Sequence, residues 1–350
     1  MTANFQIEPG TTLTQTERRL SSRLRQSIAA FAGKRILVLG DMIADEYLVG
    51  AATRLSREAP IPIINQRERY IVPGGAMNPA VNARTLGAEV YVAGIVGDDE
   101  PGRQLRQRLE EMGIHQDLLI TEPGRPTSVK LRILASNNQG IVQQVARIDN
   151  IDTTPIADTT AQRMTDALSR LIPQMDGVIL SDYDNGLMGL PLIDAALKLT
   201  RQYQCIAIAD AHGGLERFQQ VTAITPNQPE AEAATGIVIH DAASLERAGR
   251  QLLAKTGVQG VLITCGSEGM SLFQPNSATV HIPVHEVEAR DTTGAGDTVA
   301  ATFTLALATG ATLSDAATLA NVAGALVVRH LGCATTDAKE LLQAIQSFEV

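Results

Sequence analysis

The chain has no tryptophan, and aromatic residues make up only 3% of its 350 positions. Binding of nucleic acid by stacking bases on aromatic platforms is therefore disfavoured. Basic charge is also scarce: 29 Lys and Arg face 38 Asp and Glu, a net charge of −9. That balance argues against a nucleic-acid or membrane-surface partner, so an anionic small molecule would need a local basic pocket. The three cysteines, Cys205, Cys265 and Cys333, are too widely spaced for a zinc-ligand pair, and an odd count makes no disulfide framework. Cys205 and Cys265 lie in apolar runs and read as small core residues. The six histidines do not cluster. No apolar run reaches membrane-spanning length, and the first residues have no signal-peptide core. A soluble cytoplasmic protein is expected. A Walker A motif is missing, as is a Gly-x-Gly-x-x-Gly after a strand, which removes the main support for P-loop and dinucleotide readings.

What remains is a globular composition, 44% hydrophobic and 19% charged, long enough for one large α/β domain or two smaller ones. Residues 1–33 read as a loose tail and a leading helix. Leu20, Leu24, Ile28 and Phe31 form one helical face, and Arg18, Arg19, Arg23 and Arg25 the other. A transit peptide has similar features, but Glu8 and Glu17 weaken that reading. From residue 34 to 350 strands and helices alternate. Strand-like runs at 36–39, 90–95, 177–180, 205–209 and 260–264 are separated by helical stretches at 78–86, 102–112, 159–171, 190–202 and 244–255. The pattern predicts a mostly parallel sheet covered on both faces, with ligands at the carboxyl ends of the strands. Asp41, Asp182, Asp210 and Asn227 follow strand-like segments and could converge there. Residues 46–72 and 127–149 break the rhythm, being richer in β-branched residues and more alternating. They read as antiparallel strands outside the main sheet, a lid. There is no internal repeat and no linker between independent domains.

The most informative string is Arg290-Asp291-Thr292-Thr293-Gly294-Ala295-Gly296-Asp297-Thr298-Val299, a glycine pair just before an apolar helical run. Unpaired amides and the dipole at a helix start can cradle a phosphate or a developing negative charge. Asp297 would repel a bound phosphate unless it has another task, such as taking a proton from an attacking hydroxyl. The plainer alternative is that Asp297 and Thr298 only cap the helix. Pro73-Gly74-Gly75-Ala76-Met77-Asn78 is a second glycine-rich turn before a helix. Gly40-Asp41 ends the first strand, where a carboxylate can accept hydroxyl bonds. Asn227-Gln228-Pro229-Glu230 reads locally as a capping box.

Asp291-Thr292-Thr293-Gly294-Ala295-Gly296-Asp297-Thr298 closely resembles the C-terminal signature of the ribokinase-like (PfkB) sugar kinases. The resemblance implies a ribokinase-like three-layer α/β/α sandwich with a small β lid, which forms homodimers in many members. It also implies that Asp297 is the catalytic base and that the amides of Gly294, Ala295 and Gly296 form the anion hole. By the same resemblance Gly74, Gly75 and Asn78 approach the sugar hydroxyls, and Asp41 holds the acceptor. Asn227 and Glu230 would organise magnesium and the phosphates of ATP, partly through water. Thr264, Gly266 and Gly269 would form the nucleotide-side loop, and Asn321 would flank the adenine. A monovalent cation is a further expected ion.

The segment from Gly40 to Pro62, with Thr127, Lys130, Arg132 and Ser181-Asp182-Tyr183, resembles the kinase domain of heptose 7-phosphate kinases. Lys130 and Arg132 would supply positive charge for an already phosphorylated sugar, unless they are only solvated strand-edge charges. Two lysines of that subfamily are Asn185 and His212 here, while Arg57 is gained. The His-x-Gly-His motif of the nucleotidyltransferase often fused to these enzymes is absent, so a kinase alone is expected. The expected reaction is ATP-dependent phosphorylation of a sugar hydroxyl, with a heptose 7-phosphate as acceptor. The alternatives are a kinase for an unphosphorylated sugar or a nucleoside, and a catalytically silent sugar- or nucleotide-binding regulator.

Overall fold

The computed structural model describes residues 15–136, 142–284 and 289–347. The expected tail, residues 1–13, and the middle of the second lid segment, 137–141, lie outside them. In chain order the strands are β1 (Arg35–Gly40), β2 (Met42–Leu55), β3 (Pro62–Gly75), β4 (Glu89–Val96), β5 (His115–Thr121), β6 (Ser128–Ser136) and β7 (Val142–Asn150). They continue with β8 (Gly177–Asp182), β9 (Ile206–Ala211), β10 (Ala223–Ile224), β11 (Gly260–Thr264), β12 (Met270–Phe273) and β13 (Val280–Ile282).

Nine strands form one sheet in the order β13-β12-β11-β10-β9-β8-β1-β4-β5. From β11 through to β5 every pairing is parallel, and β12 and β13 close one edge as antiparallel strands. The sheet is buried on both faces, which explains the near-continuous apolar runs of its strands. Alternate residues go to opposite layers. Ile36 and Val38 pack with the helices Met77–Thr85, Ala295–Ala308 and Leu313–Val327. Leu37 and Leu39 pack with the helices Asp158–Leu171, Leu190–Gln202 and Ala242–Thr256. This is a three-layer α/β/α sandwich. The leading helix, Gln15–Ala29, belongs to the first layer through Leu24 and Ile28, and Arg23 is clamped by Asp315 at 2.8 Å.

The remaining strands form a separate sheet, β3-β2-β6-β7. β2 pairs antiparallel with β3, and β6 antiparallel with β7, but β2 and β6 run parallel. An all-antiparallel arrangement, expected from local alternation, therefore fails at the joint between the two hairpins. β2 starts two residues after β1 ends, and β3 ends at the glycine-rich turn. The small sheet thus grows directly from the carboxyl end of the large one. The chain turns back there: β1 continues to β4 and β5 on one side, and β8 lies on the other. This reversal is where open α/β sheets bind ligands.

Candidate active site

Gly294 sits at the N-cap of the helix Ala295–Ala308 with φ +77°, and no side chain caps that end. A Cβ on Gly294 would lie 2.5 Å from Asn78 Nδ2, so glycine is required by both backbone and space. The Ala295 amide donates to the Thr292 carbonyl at 3.2 Å and is committed to the turn. Among the described residues the amides of Gly296 and Asp297 have no such acceptor, and a Cβ on Gly296 would meet nothing within 4 Å. Of the three amides expected to form the anion hole, that of Ala295 is thus engaged, while those of Gly294 and Gly296, like that of Asp297, have no acceptor among the described residues.

Asp297 does not cap its helix. Asn78 Nδ2 donates to its Oδ2 at 2.7 Å, and the Tyr183 hydroxyl donates to its Oδ1 at 3.1 Å. Burial pushes its carboxyl up to about 7, helped by the charge of Asp210; the bonds from Asn78 and Tyr183 and the charge of His212 oppose the rise. A carboxylate balanced near neutrality, at the open end of a helix, is placed to exchange a proton with a bound hydroxyl.

The two aspartates of the first loop have different partners. Asp41 is buried, and its Oδ2 accepts the backbone amides of Tyr183 at 2.8 Å and Asn185 at 3.2 Å. Burial, only partly offset by those bonds, raises it to about 6. Through Oδ2 it braces the loop that carries Tyr183. The carboxylate beside the lid is Asp45, which pairs with Arg132 and lies against Gly74, where a Cβ would come within 2.3 Å of Asp45 Oδ2. Gly75, at φ +55°, lets the chain turn over the Asp41 carbonyl.

Lys130 and Arg132 are two apart on β6 and share one face. Lys130 Nζ stands 4.9 Å from the centre of the Tyr183 ring, and burial lowers its pKa. The same ring packs edge-on with His212, with centroids 4.2 Å apart. His212 Nδ1 contacts Glu230 Oε1 at 3.0 Å. Burial opposes a charged His212, but Glu230 and Asp210 prevail and raise its pKa. Lys130, Tyr183, His212 and Glu230 thus form a continuous row from the lid to the strand ends. Asn185 is buried. Its carbonyl accepts Arg125 at 2.7 Å, and its buried Nδ2 has no partner among the described residues. Arg57 is exposed in the β2–β3 connection.

The capping box predicted locally is present: Asn227 Oδ1 accepts the Glu230 amide and Glu230 Oε2 accepts the Asn227 amide, both at 2.9 Å. Glu230 also raises the neighbouring Asp210 to about 6, second to burial. Thr264 ends β11 beside Asn227, and Gly266 and Gly269 take positive φ in the loop that follows. Asn321 has a partner within the chain. It is buried in the helix Leu313–Val327, and its Nδ2 donates to the Pro283 carbonyl at 2.8 Å.

Sequence reasoning gave Asp45, Asn82 and Tyr183 no task and offered Thr298 only as a helix cap, which it is not. Asp45 lay within the motif already singled out. Asn82 is one helical turn after Asn78, and Thr298 follows Asp297 directly, so adjacency was the signal available for both.

A buried carboxylate held by Asn78 and Tyr183 thus sits beside unpaired helix amides and close to a lid that carries Lys130 and Arg132. Residues 34–340 match the model of the pfkB family carbohydrate kinases. The chain belongs to that family and is a carbohydrate kinase. It is 37% identical over 320 residues to Bifunctional protein HldE of Desulfatibacillum aliphaticivorans, covering 91% of this chain and 64% of that protein. It is 38% identical over 322 residues to Bifunctional protein HldE of Geobacter sulfurreducens, covering 91% and 65%. The chain therefore spans just under two thirds of the length of these relatives. Arabidopsis thaliana ribokinase complexed with ribose and ATP superposes with a TM-score of 0.70 at 22% identity, covering 90% of this chain and 99% of that one. Phosphofructokinase-2 from Escherichia coli in complex with potassium gives 0.72 at 15% identity, covering 91% and 100%. The fold is ribokinase-like.

Replacing Gly294 by Ala should displace Asn78 and strain the turn while leaving the sheet intact. A misplacement on the scale of an ångström costs about 100-fold in rate, so kcat/KM is expected to fall by that order with little change in the circular dichroism spectrum. Wild-type turnover would show that the Gly294–Asn78 approach does not matter.

Proposed function

We propose that this chain transfers the γ-phosphoryl group of ATP to a hydroxyl of a heptose 7-phosphate. The observation that carries the reading is the pairing of Asp297 with Asn78 and Tyr183 beneath Lys130 and Arg132. The sugar hydroxyl gives its proton to Asp297 as its oxygen bonds to the γ-phosphorus. The bond from that phosphorus to the β-bridging oxygen breaks, and ADP leaves. General-base help of this kind contributes roughly 10²–10⁴-fold. The amides of Gly296 and Asp297 stabilise the charge on the transferred group. Asp45 and Asn78 orient the acceptor, and the four-stranded sheet excludes water that would hydrolyse ATP.

The donor set near the phosphate end fits magnesium. Asn227 Oδ1, both Glu230 oxygens and Asp210 Oδ1 each have one partner within the chain and keep further lone pairs for a cation or its waters, and the repulsion of the two carboxylates, added to burial, raises Asp210. A hard cation that takes oxygen ligands and keeps its waters suits that excess of negative charge. Asn227 and Glu230 would hold it, partly through water, and it would neutralise the phosphate oxygens. Both Asp291 oxygens brace the anion-hole turn, through Gly332 and Thr293, so no site for a monovalent cation is assigned. Thr264, Gly266 and Gly269 are proposed to line the nucleotide side. Thr264 ends β11 next to Asn227, which supports this placement.

No helix among the described residues is long and apolar enough to cross a membrane, and none of the three cysteines is in a disulfide. Both observations support a cytoplasmic setting. Val142, Val145 and Ile148 are exposed on β7, which supports a second copy of the chain packing on the lid.

Changing Asp297 to Asn keeps the shape but removes the base. A loss of at least about 100-fold in kcat is expected, with ATP binding retained. Near-normal turnover would refute the base assignment.

A specific observation favours a second reading, an unphosphorylated acceptor: Asp45 neutralises Arg132, and His212 is engaged by Glu230. Lys130 decides between them. A charge-assisted bond to phosphate contributes about 1.5–3 kcal/mol. Lys130→Ala should therefore raise KM for a heptose 7-phosphate by roughly 10- to 100-fold and leave KM for ATP unchanged. An unaltered KM, or preference for the unphosphorylated sugar, would select the second reading.

A further inference from the structure

An asparagine amide can flip, exchanging oxygen for nitrogen at almost no steric cost. Asn78 is useful to Asp297 only with its NH2 group turned toward the carboxylate. Something in the fold has to choose that orientation, and the polarity of the neighbours shows what does.

Asn82 lies one helical turn beyond Asn78 on the same face of the helix Met77–Thr85. Its Nδ2 is 3.0 Å from the Asn78 carbonyl oxygen and 3.2 Å from Asn78 Oδ1. A backbone carbonyl can only accept, so it fixes Asn82 with its NH2 toward Asn78. Its Oδ1 then faces the other way, where it accepts the Thr298 hydroxyl at 2.8 Å. That hydroxyl lies 3.2 Å from a second acceptor, the Gly294 carbonyl. With Asn82 so fixed, its NH2 occupies Asn78 Oδ1 as a donor. Asn78 must then turn its own NH2 to Asp297 Oδ2, 2.7 Å away. Asn82 and Thr298 are fully buried and Asn78 nearly so, which leaves no water to satisfy the reverse arrangement.

We propose that Asn82 and Thr298 are positioning residues that set the direction of the Asn78 amide and so hold Asp297 ready to accept a proton. Neither touches Asp297's carboxylate in this geometry; both act through Asn78. The chain of bonds also ties the helix of the glycine-rich turn to the helix of the anion hole. A flipped Asn78 would set an oxygen against the carboxylate, favouring its protonated form, and two NH2 groups against each other. The inference rests on Asp297 being the base.

The test uses the full chain in three variants, Thr298→Val, Thr298→Ser and Asn82→Ser. The carboxyl titration of Asp297 is followed by carbon-13 NMR without substrate. Asp210, His212, Tyr183 and Cys333, the other titratable groups facing Asp297, are unchanged in all three. Thr298→Val and Asn82→Ser should raise the Asp297 midpoint by about one unit, tenfold in the proton equilibrium. In turnover of ATP with a heptose 7-phosphate both should lower kcat by roughly tenfold and leave KM for ATP within a factor of about two. Thr298→Ser keeps the hydroxyl and should behave as the wild type. An unmoved midpoint in Thr298→Val and Asn82→Ser overturns the proposal, as does a midpoint that moves equally in Thr298→Ser. If Thr298→Val does not fold, Asn82→Ser against Thr298→Ser decides alone. An active Asp297→Asn enzyme would refute the base assignment. An inactive one beside unmoved midpoints would refute only the positioning role.

Discussion

The Asn78–Asp297 hydrogen bond joins residues 219 positions apart, and the catalytic geometry depends on it. It connects the turn at the end of the lid sheet to the helix that carries the anion hole. Gly294 permits it by leaving room for Asn78, and the Gly74-Gly75 turn delivers Asn78 to the spot. Tyr183 reaches the other oxygen of the same carboxylate because Asp41 holds its loop by two backbone amides. Three segments distant in sequence thus meet at one buried carboxyl group, at the point where the strand order reverses.

Charge explains the rest of the site. Asp41, Asp210 and Asp297 are all buried near the strand ends and all sit above the ordinary carboxylate range. Holding them together costs stability, and few cations of the chain offset it: His212 lies against Glu230, and Lys130 stands over Tyr183. Such an excess suits a site that receives a metal–nucleotide complex. The lid brings the opposite charge close to them: Arg132 pairs with Asp45, and Lys130 lies two residues away on the same strand.

Much of this was legible in the sequence, for physical reasons. The core strands are buried on both faces, so their apolar runs stand out; the strand at 260–264 was read with its observed bounds. Asp297, Asn78 and Gly294 stood out because their strings resemble the signatures of a sugar-kinase family; read locally, a glycine-rich turn before a helix serves equally well as a cap. The lid pairing was not legible, since the parallel joint of β2 and β6 is a contact between distant segments that local alternation cannot encode. Asp41 and Asp45 stand four residues apart in one motif, and only folding shows that the first accepts the amides of Tyr183 and Asn185. The bonds of the Ala295 amide and the Asn321 side chain to the Thr292 and Pro283 carbonyls were not legible either, because composition does not reveal such partners.

The central claim is that Asp297 is a buried carboxylate poised to exchange a proton near neutral pH. The most direct measurement is the carboxyl carbon titration of Asp297 in the free wild-type protein, assigned by comparison with Asp297→Asn. The account requires a midpoint of about 7. A midpoint near the ordinary aspartate value of about 4 would contradict it, because the carboxylate would then be a solvated cap and not a base held by Asn78 and Tyr183.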